Sequence, residues 1–285
     1  MRVFRTTFVL ALLTLLLMAI GRAFGGPSGM TIGLGFAVVT NAFAYFFSDK
    51  IALWSSGARP VSREQLPRLY AVMERLAGKA NLPVPRLYVI PEPAPNAFAT
   101  GRNPRHASVA VTEGLLELMN DDELEGVIAH ELSHVRNYDI LISSVAATIA
   151  GAITWVAHLG GWFGFGGRDN DRDRGGSGIL GLLLLILAPL AATLLQLALS
   201  RQREYSADET GARMVGNPYG FMNALQKLGA YNNQIPTTAI SPSTSALCIV
   251  KPLFGMGSLS SLFSTHPPLK DRIENLRHLD ATPLR

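Results

Sequence analysis

Apolar residues in this chain are gathered into blocks, and the stretches between the blocks carry most of the charge. Four blocks are long enough to cross a hydrocarbon core at about 1.5 Å per helical residue: residues 4–20, 30–47, 140–165 and 179–199. The first two lie near the lower limit of length. A short Gly-rich turn, 21–29, separates them, as in a membrane hairpin. The third holds His158 but no formal charge, and the fourth holds Pro189, which a membrane helix tolerates. Arg2 and Arg5, followed by an apolar core, also fit a signal peptide. Its removal would leave the second block as an anchor and assign the same side to the polar region after it.

The polar stretches have shorter periods. Residues 62–79 read as an amphipathic helix, with Ser62 and Gln65 spaced like a capping box. Three β-like runs come next, at 86–90, 96–100 and 108–112, punctuated by Pro, Gly and Asn. Asn120 and the acids Asp121, Asp122 and Glu123 then open a helix with Leu124, Val127, Ile128, Leu132 and Val135 at helical spacing. That helix is expected to run on into the third apolar block. Residues 201–215 read as another helix, and 231–265 as an irregular flap rich in Ser, Thr, Pro and Gly. Leu269, Ile273, Leu276 and Leu279 mark a terminal helix with Pro267 and Pro268 at its start.

Composition narrows the class. Of 285 residues, 48% are hydrophobic and only 16% charged, apolar for a soluble protein. The net charge of +4 comes without a basic–aromatic stripe, so nucleic acid is not the expected partner. Lys and Arg concentrate at the N-terminus, between Lys50 and about Asp139, and after Arg201, which assigns both termini and both large polar regions to the cytoplasm. The loop 166–178 works against this orientation, because its three arginines count even beside aspartates. The single cysteine, Cys248, allows no internal disulfide.

The chemistry is concentrated in His130-Glu131-Leu132-Ser133-His134. Residues four apart on a helix share a face, so His130 and His134 can aim two imidazoles at one zinc ion, while Glu131 stands beside them as a base. A catalytic zinc takes three protein ligands and keeps one position open. Glu204 is the best candidate for the third, and Asp208, one turn further on, could orient a histidine ring. If blocks three and four form an antiparallel hairpin, both site segments emerge on one face of the membrane within about 10 Å of the lipid boundary.

HELSH, a membrane pair, SRQREYSADETGA and THPPLKDRIENL together closely resemble the HtpX family of membrane zinc metalloproteases, relatives of the CAAX prenyl proteases. The resemblance runs over nearly the whole chain. It implies an α-helical membrane protein with four transmembrane helices and a mainly α, zincin-like catalytic domain of gluzincin type carrying a small β-sheet. It implies one Zn2+ per chain, an endopeptidase acting on misfolded or damaged membrane proteins, and the bacterial inner membrane with the site facing the cytoplasm. It also implies Glu204 as third ligand and Glu131 as base. Asn96, Ala97 and Phe98 then look like an edge strand that holds an extended substrate, and His266 and Arg272 like groups near the metal that steady the transition state or gate the site. The expected organisation is an N-terminal membrane hairpin (1–47), the first catalytic part (48–139), a second membrane hairpin (140–199) and the second catalytic part (200–285).

The rival function is a membrane scaffold whose zinc is structural, with His266 as a fourth ligand or as a reversible inhibitory one. A transporter or channel is disfavoured, because the apolar blocks hold no charge at their centres. His106, His158 and His278 have no assigned role.

Overall fold

The computed structural model describes residues 2–149, 201–232, 237, 244–250 and 267–279. Block 179–199, most of block 140–165, loop 166–178, His158, His266 and much of the segment 231–265 lie outside the described residues.

The chain begins with α1 (Arg2–Ser55), which is helical on both sides of a break at Gly25 and Gly26. Gly26 has φ 59° and ψ −145°, a conformation only glycine adopts freely, and Pro27 restarts the helix at once. The predicted nine-residue turn therefore contracts to these two glycines. The two limbs run antiparallel. Asn41 Nδ2 donates to Leu10 O at 3.2 Å and to Thr14 Oγ1 at 2.8 Å. Side chains at Gly21 and Gly29 would each overlap the other's carbonyl, and one at Gly33 would overlap that of Leu17. Small residues let the two backbones touch, the usual way membrane helices pair. The outer face shows Ile32, Phe36, Val39 and Phe43, all exposed.

Among the described residues one helix, Gly25–Ser55, is long and apolar enough to cross a membrane. Leu10–Ala19 and Asp139–Ile149 are shorter apolar helices. The second limb outruns the predicted block by eight residues, because Ser48–Ser55 continues the helix into the polar part of the molecule.

A mixed four-stranded sheet comes after it, in the order β1-β2-β4-β3, with β1 (Arg59–Pro60), β2 (Arg86–Ile90), β3 (Ala97–Thr100) and β4 (Ser108–Thr112). β2 and β4 are parallel, with Leu87 opposite Val109, and β3 is antiparallel to β4, with Phe98 opposite Ala110. Alternation sorts the side chains. Leu87, Val109 and Val111 face the helices, whereas Ile90, Phe98 and Ala110 face Ala52 and Leu53 at the end of α1. The sheet is thus sandwiched between the helices of the main core and the end of α1.

Helix α2 (Pro67–Lys79) starts five residues later than the pattern predicts. Ser62 N does donate to Gln65 Oε1 at 2.8 Å, but this closes a turn. Pro67 disfavours helical geometry at Leu66, whose φ is −133°. After the short α3 (Glu113–Leu118), helix α4 (Asp121–Arg136) opens on the predicted signal: Asn120 and Glu123 form a reciprocal capping box. Its Leu124, Val127, Ile128 and Leu132 are fully buried in the main core. Truncating one of them to Ala would cost about 2–5 kcal/mol.

One expectation is overturned here. Helix α4 does not continue into the third apolar block. It stops at Arg136, with Asn137 as its cap and Tyr138 at φ 61°, and a new helix α5 (Asp139–Ile149) begins beyond the break. The reason is geometric: the break turns the start of α5 back toward His134. Helices α6 (Arg201–Val215), α7 (Tyr219–Asn232) and α8 (Leu269–Arg277) complete the described fold, with α6 and α7 packed on α4.

Candidate metal centre

Helix α4 carries His130 and His134 one turn apart, and α6 lies across it. Glu204, Asp208 and Gly211 are spaced four and three residues apart on α6, so they share the face toward α4. Gly211 lacks the side chain that would meet the backbone of His130, and this lets the two helices close.

His130 Nε2 and His134 Nε2 stand 3.2 Å apart. Glu204 carboxylate oxygens lie 3.8 Å from the first and 3.7 Å from the second. Donor atoms around a tetrahedral zinc at about 2.0–2.1 Å are separated by roughly 3.3 Å. Two imidazoles and a carboxylate whose donor atoms all fall within 4.8 Å of one another therefore fit a single zinc ion with little adjustment. These three line a cleft with roughly 350 Å³ of open space, along with Glu131, Ala99 and Ile140.

Each imidazole is held from behind. His130 Nδ1 lies 2.9 Å from Asp208 Oδ1, and its ring stacks on Phe221 with centroids 5.1 Å apart. Asp208 is in turn gripped by Arg272, whose Nε and Nη2 donate to its two oxygens at 2.9 and 2.6 Å. Arg272 is fully buried. Its Nη1 donates to Ile249 O at 2.9 Å and stands 3.9 Å from Glu204. His134 Nδ1 lies 3.4 Å from Asp139 Oδ2, and Arg203 Nη1 approaches the other oxygen of Asp139 at 3.8 Å.

Burial and neighbours pull the titrating groups apart. Burial holds His130 down to about 4, against the pull of Asp208. Burial also opposes charge on His134, but Asp139, Glu204 and Glu131 outweigh it and raise it to about 9. Burial pushes Glu131 up to about 7, with Glu204 adding to the rise and His134 opposing it. Asp208 is desolvated too, yet Arg272 holds its carboxyl below the usual range. A carboxylate poised near neutrality beside the metal ligands is suited to taking and returning a proton.

The predicted site residues His130, Glu131, His134, Glu204, Asp208 and Arg272 thus come together, and Arg272, besides gripping Asp208, stands with Nη2 3.5 Å from His130 Nε2 and Nη1 3.9 Å from Glu204. Among the described residues Ala97 and Phe98 lie on β3, at the edge of the sheet, and Asn96 just precedes it. There the Phe98 side chain is buried against α1, and Asn96 bonds the 249–250 segment. His266 lies outside the described residues. Asp139, Phe221, Gly211 and Ile249 were not anticipated. Asp139 sits five residues after His134, beyond helical reach on an unbroken helix, so only the break at Asn137 and Tyr138 makes it a partner.

An HExxH helix whose two imidazoles meet a glutamate from a crossing helix defines a metallopeptidase. Residues 63–280 match peptidase family M48. A protease HtpX homolog of Desulforapulum autotrophicum is 54% identical over 276 residues, covering 96% of this chain and 89% of that protein. One from Syntrophobacter fumaroxidans is 52% identical, covering 97% and 99%. The chain belongs to peptidase family M48 and, within it, to the HtpX proteases. The crystal structure of Ste24p from S. mikatae shares the fold, with a TM-score of 0.50 at 18% identity. The match covers 93% of this chain and 62% of that one.

Proposed function

We propose that this metallopeptidase is a zinc-dependent endopeptidase, held in the bacterial inner membrane by four spans with its cleft facing the cytoplasm, that cleaves misfolded or damaged membrane proteins as part of a stress response. The observation that carries the chemistry is the convergence of His130, His134 and Glu204 on one point beside the buried Glu131. Among the described residues three protein donors converge, which leaves a fourth position for reactants and favours catalysis over a closed structural site.

Zinc held there would supply Lewis acidity, polarising the scissile carbonyl and making water easier to deprotonate. The chain's own residues do the rest. Glu131 takes the proton of the attacking water and returns it to the leaving amine nitrogen. Asp208 and Asp139 fix the two imidazoles so that each presents Nε2 to the centre. Arg272 balances the charge of Asp208. The 31-residue apolar limb of α1 and its exposed Ile32, Phe36 and Phe43 support the membrane placement.

The test is cleavage of an unfolded reporter by the full chain in detergent, with Glu131→Gln run beside it and zinc content determined for both. Wild type should cleave, and the variant should lose about 10²-fold or more while binding the same zinc. A variant that cleaves at the wild-type rate would remove Glu131 from its role.

A further inference from the structure

We infer that the chain's own Ile249–Val250 segment fills the groove an extended substrate would occupy along β3, so that the site is self-blocked and reads a substrate by its main chain. This rests on the peptidase reading above.

Among the described residues β3 is an edge strand, paired in the sheet with β4 alone. An edge of this kind offers main-chain groups to an incoming peptide. Here those groups are taken from within. Ala97 O accepts from Ile249 N at 3.0 Å, and Ala97 N donates to the Asn96 side chain at 3.0 Å. Asn96 Nδ2 donates to Val250 O at 2.8 Å, and its oxygen faces Val250 N at 3.5 Å. Arg272 holds Ile249 O from the other side. Cys248 and Ile249 are each 1% exposed and, with Leu247, form one wall of the cleft that contains Glu131 and Glu204. A peptide cannot lie along this part of β3 and reach Glu131 while that wall is in place.

Two features mark the segment as replaceable. Among the described residues it makes one backbone bond to β3 in place of a ladder, so a peptide pairing more fully with the strand would displace it. Its polar contacts also use the segment's main chain: an amide, a guanidinium and a carbonyl meet backbone groups, while the Ile249 and Val250 side chains pack into the main apolar core. Cys248, Ile249 and Val250 are apolar, so the groove tolerates apolar residues. The substrate class that fits is an extended apolar stretch of polypeptide with unpaired backbone. When the segment leaves, Arg272 Nη1 loses its partner on Ile249 and becomes available at the edge of the metal site.

Cys248 is the single cysteine of the chain and a direct reporter of the segment's position. The experiment uses the zinc-loaded full chain in detergent and follows maleimide labelling of the native protein. In Glu131→Gln, saturating unfolded casein should speed labelling several-fold by displacing the segment. An unchanged rate, with casein cleaved by wild type, would overturn the inference. In an otherwise wild-type chain, Ile249→Pro removes the donor to Ala97. It should label faster and cleave casein with a kcat/KM about fivefold higher, the weight of one backbone hydrogen bond. Faster labelling without faster cleavage would also overturn it. If wild type and Ile249→Pro both bind zinc and neither cleaves, the peptidase reading fails, and the casein-dependent labelling still decides whether the groove receives extended chain.

Discussion

A Cβ placed on Gly211 would lie 3.0 Å from the backbone nitrogen of His130. The contact is with helix backbone, which cannot yield as a side-chain tip can. Gly211→Ala gains intrinsic helix propensity of about 1 kcal/mol. It must nevertheless push α6 off α4 and carry Glu204 away from the imidazoles. Overpacking of this kind costs about 1–3 kcal/mol. The expected outcome is a thermal transition in detergent that is lower or unchanged, together with clearly reduced zinc content. A variant with full zinc content would show that the helix contact does not set the ligand spacing.

Arg272 is the counter-charge for Asp208 in a space without solvent. Arg272→Met should leave that carboxylate buried without its counter-charge, with the His130 ring as its remaining partner, costing about 3–5 kcal/mol. Arg272→Lys keeps the charge but not the two parallel bonds and should recover only part of the loss. Denaturation midpoints of the three proteins, compared under one detergent condition, check the order Arg, Lys, Met.

Metal uptake should expel a proton. His134 titrates at about 9 in the metal-free site, so at neutral pH its ring is charged. A metal needs the neutral ring, hence apparent affinity should climb as pH rises and level off above about 9. Calorimetry in buffers of different ionisation enthalpy counts the proton. Asp139→Asn removes one cause of the raised value. It should release fewer protons at neutral pH and bind zinc about 10–100-fold more weakly above the plateau.

Asn41 bridges the two limbs of α1 to Leu10 and Thr14. Asn41→Ala should loosen the hairpin by about 0.6–2 kcal/mol, the range for polar contacts between membrane helices. Its thermal transition should fall while the zinc content of the distant site stays at wild type.

Much of this was legible in the sequence because local signals and tertiary demands agree. The run Ser108–Thr112 is β-branched and alternating, the Asn120–Glu123 box fixes the start of α4, and Glu204 and Asp208 repeat at helical spacing. What could not be read depends on breaks and on long-range partners. Nothing local announces that Tyr138 takes a left-handed conformation, so Asp139 could not be matched to His134. Helix α7 went unmarked, and with it Phe221, which stacks on His130. The Ser62–Gln65 pair suggested a helix start but is decided instead by Pro67. The pairing of Ile249 with Ala97 spans some 150 residues and has no periodic signature at either end.

The last turn of α1 rests on β3, with Ala52 and Leu53 packed against Phe98. Phe47, where the apolar run ends, is six helical residues before Leu53, a rise of about 9 Å. On the proposed membrane placement, α1 therefore acts as a ruler. It hangs the cleft at a set height above the lipid, and the sheet cannot drop toward the bilayer without unpacking Phe98. A polypeptide anchored in the same membrane would need about three extended residues beyond its last buried one to span that gap. Bonds nearer the lipid than this would be out of reach, and cut positions would be counted from the membrane surface as well as chosen by side chain.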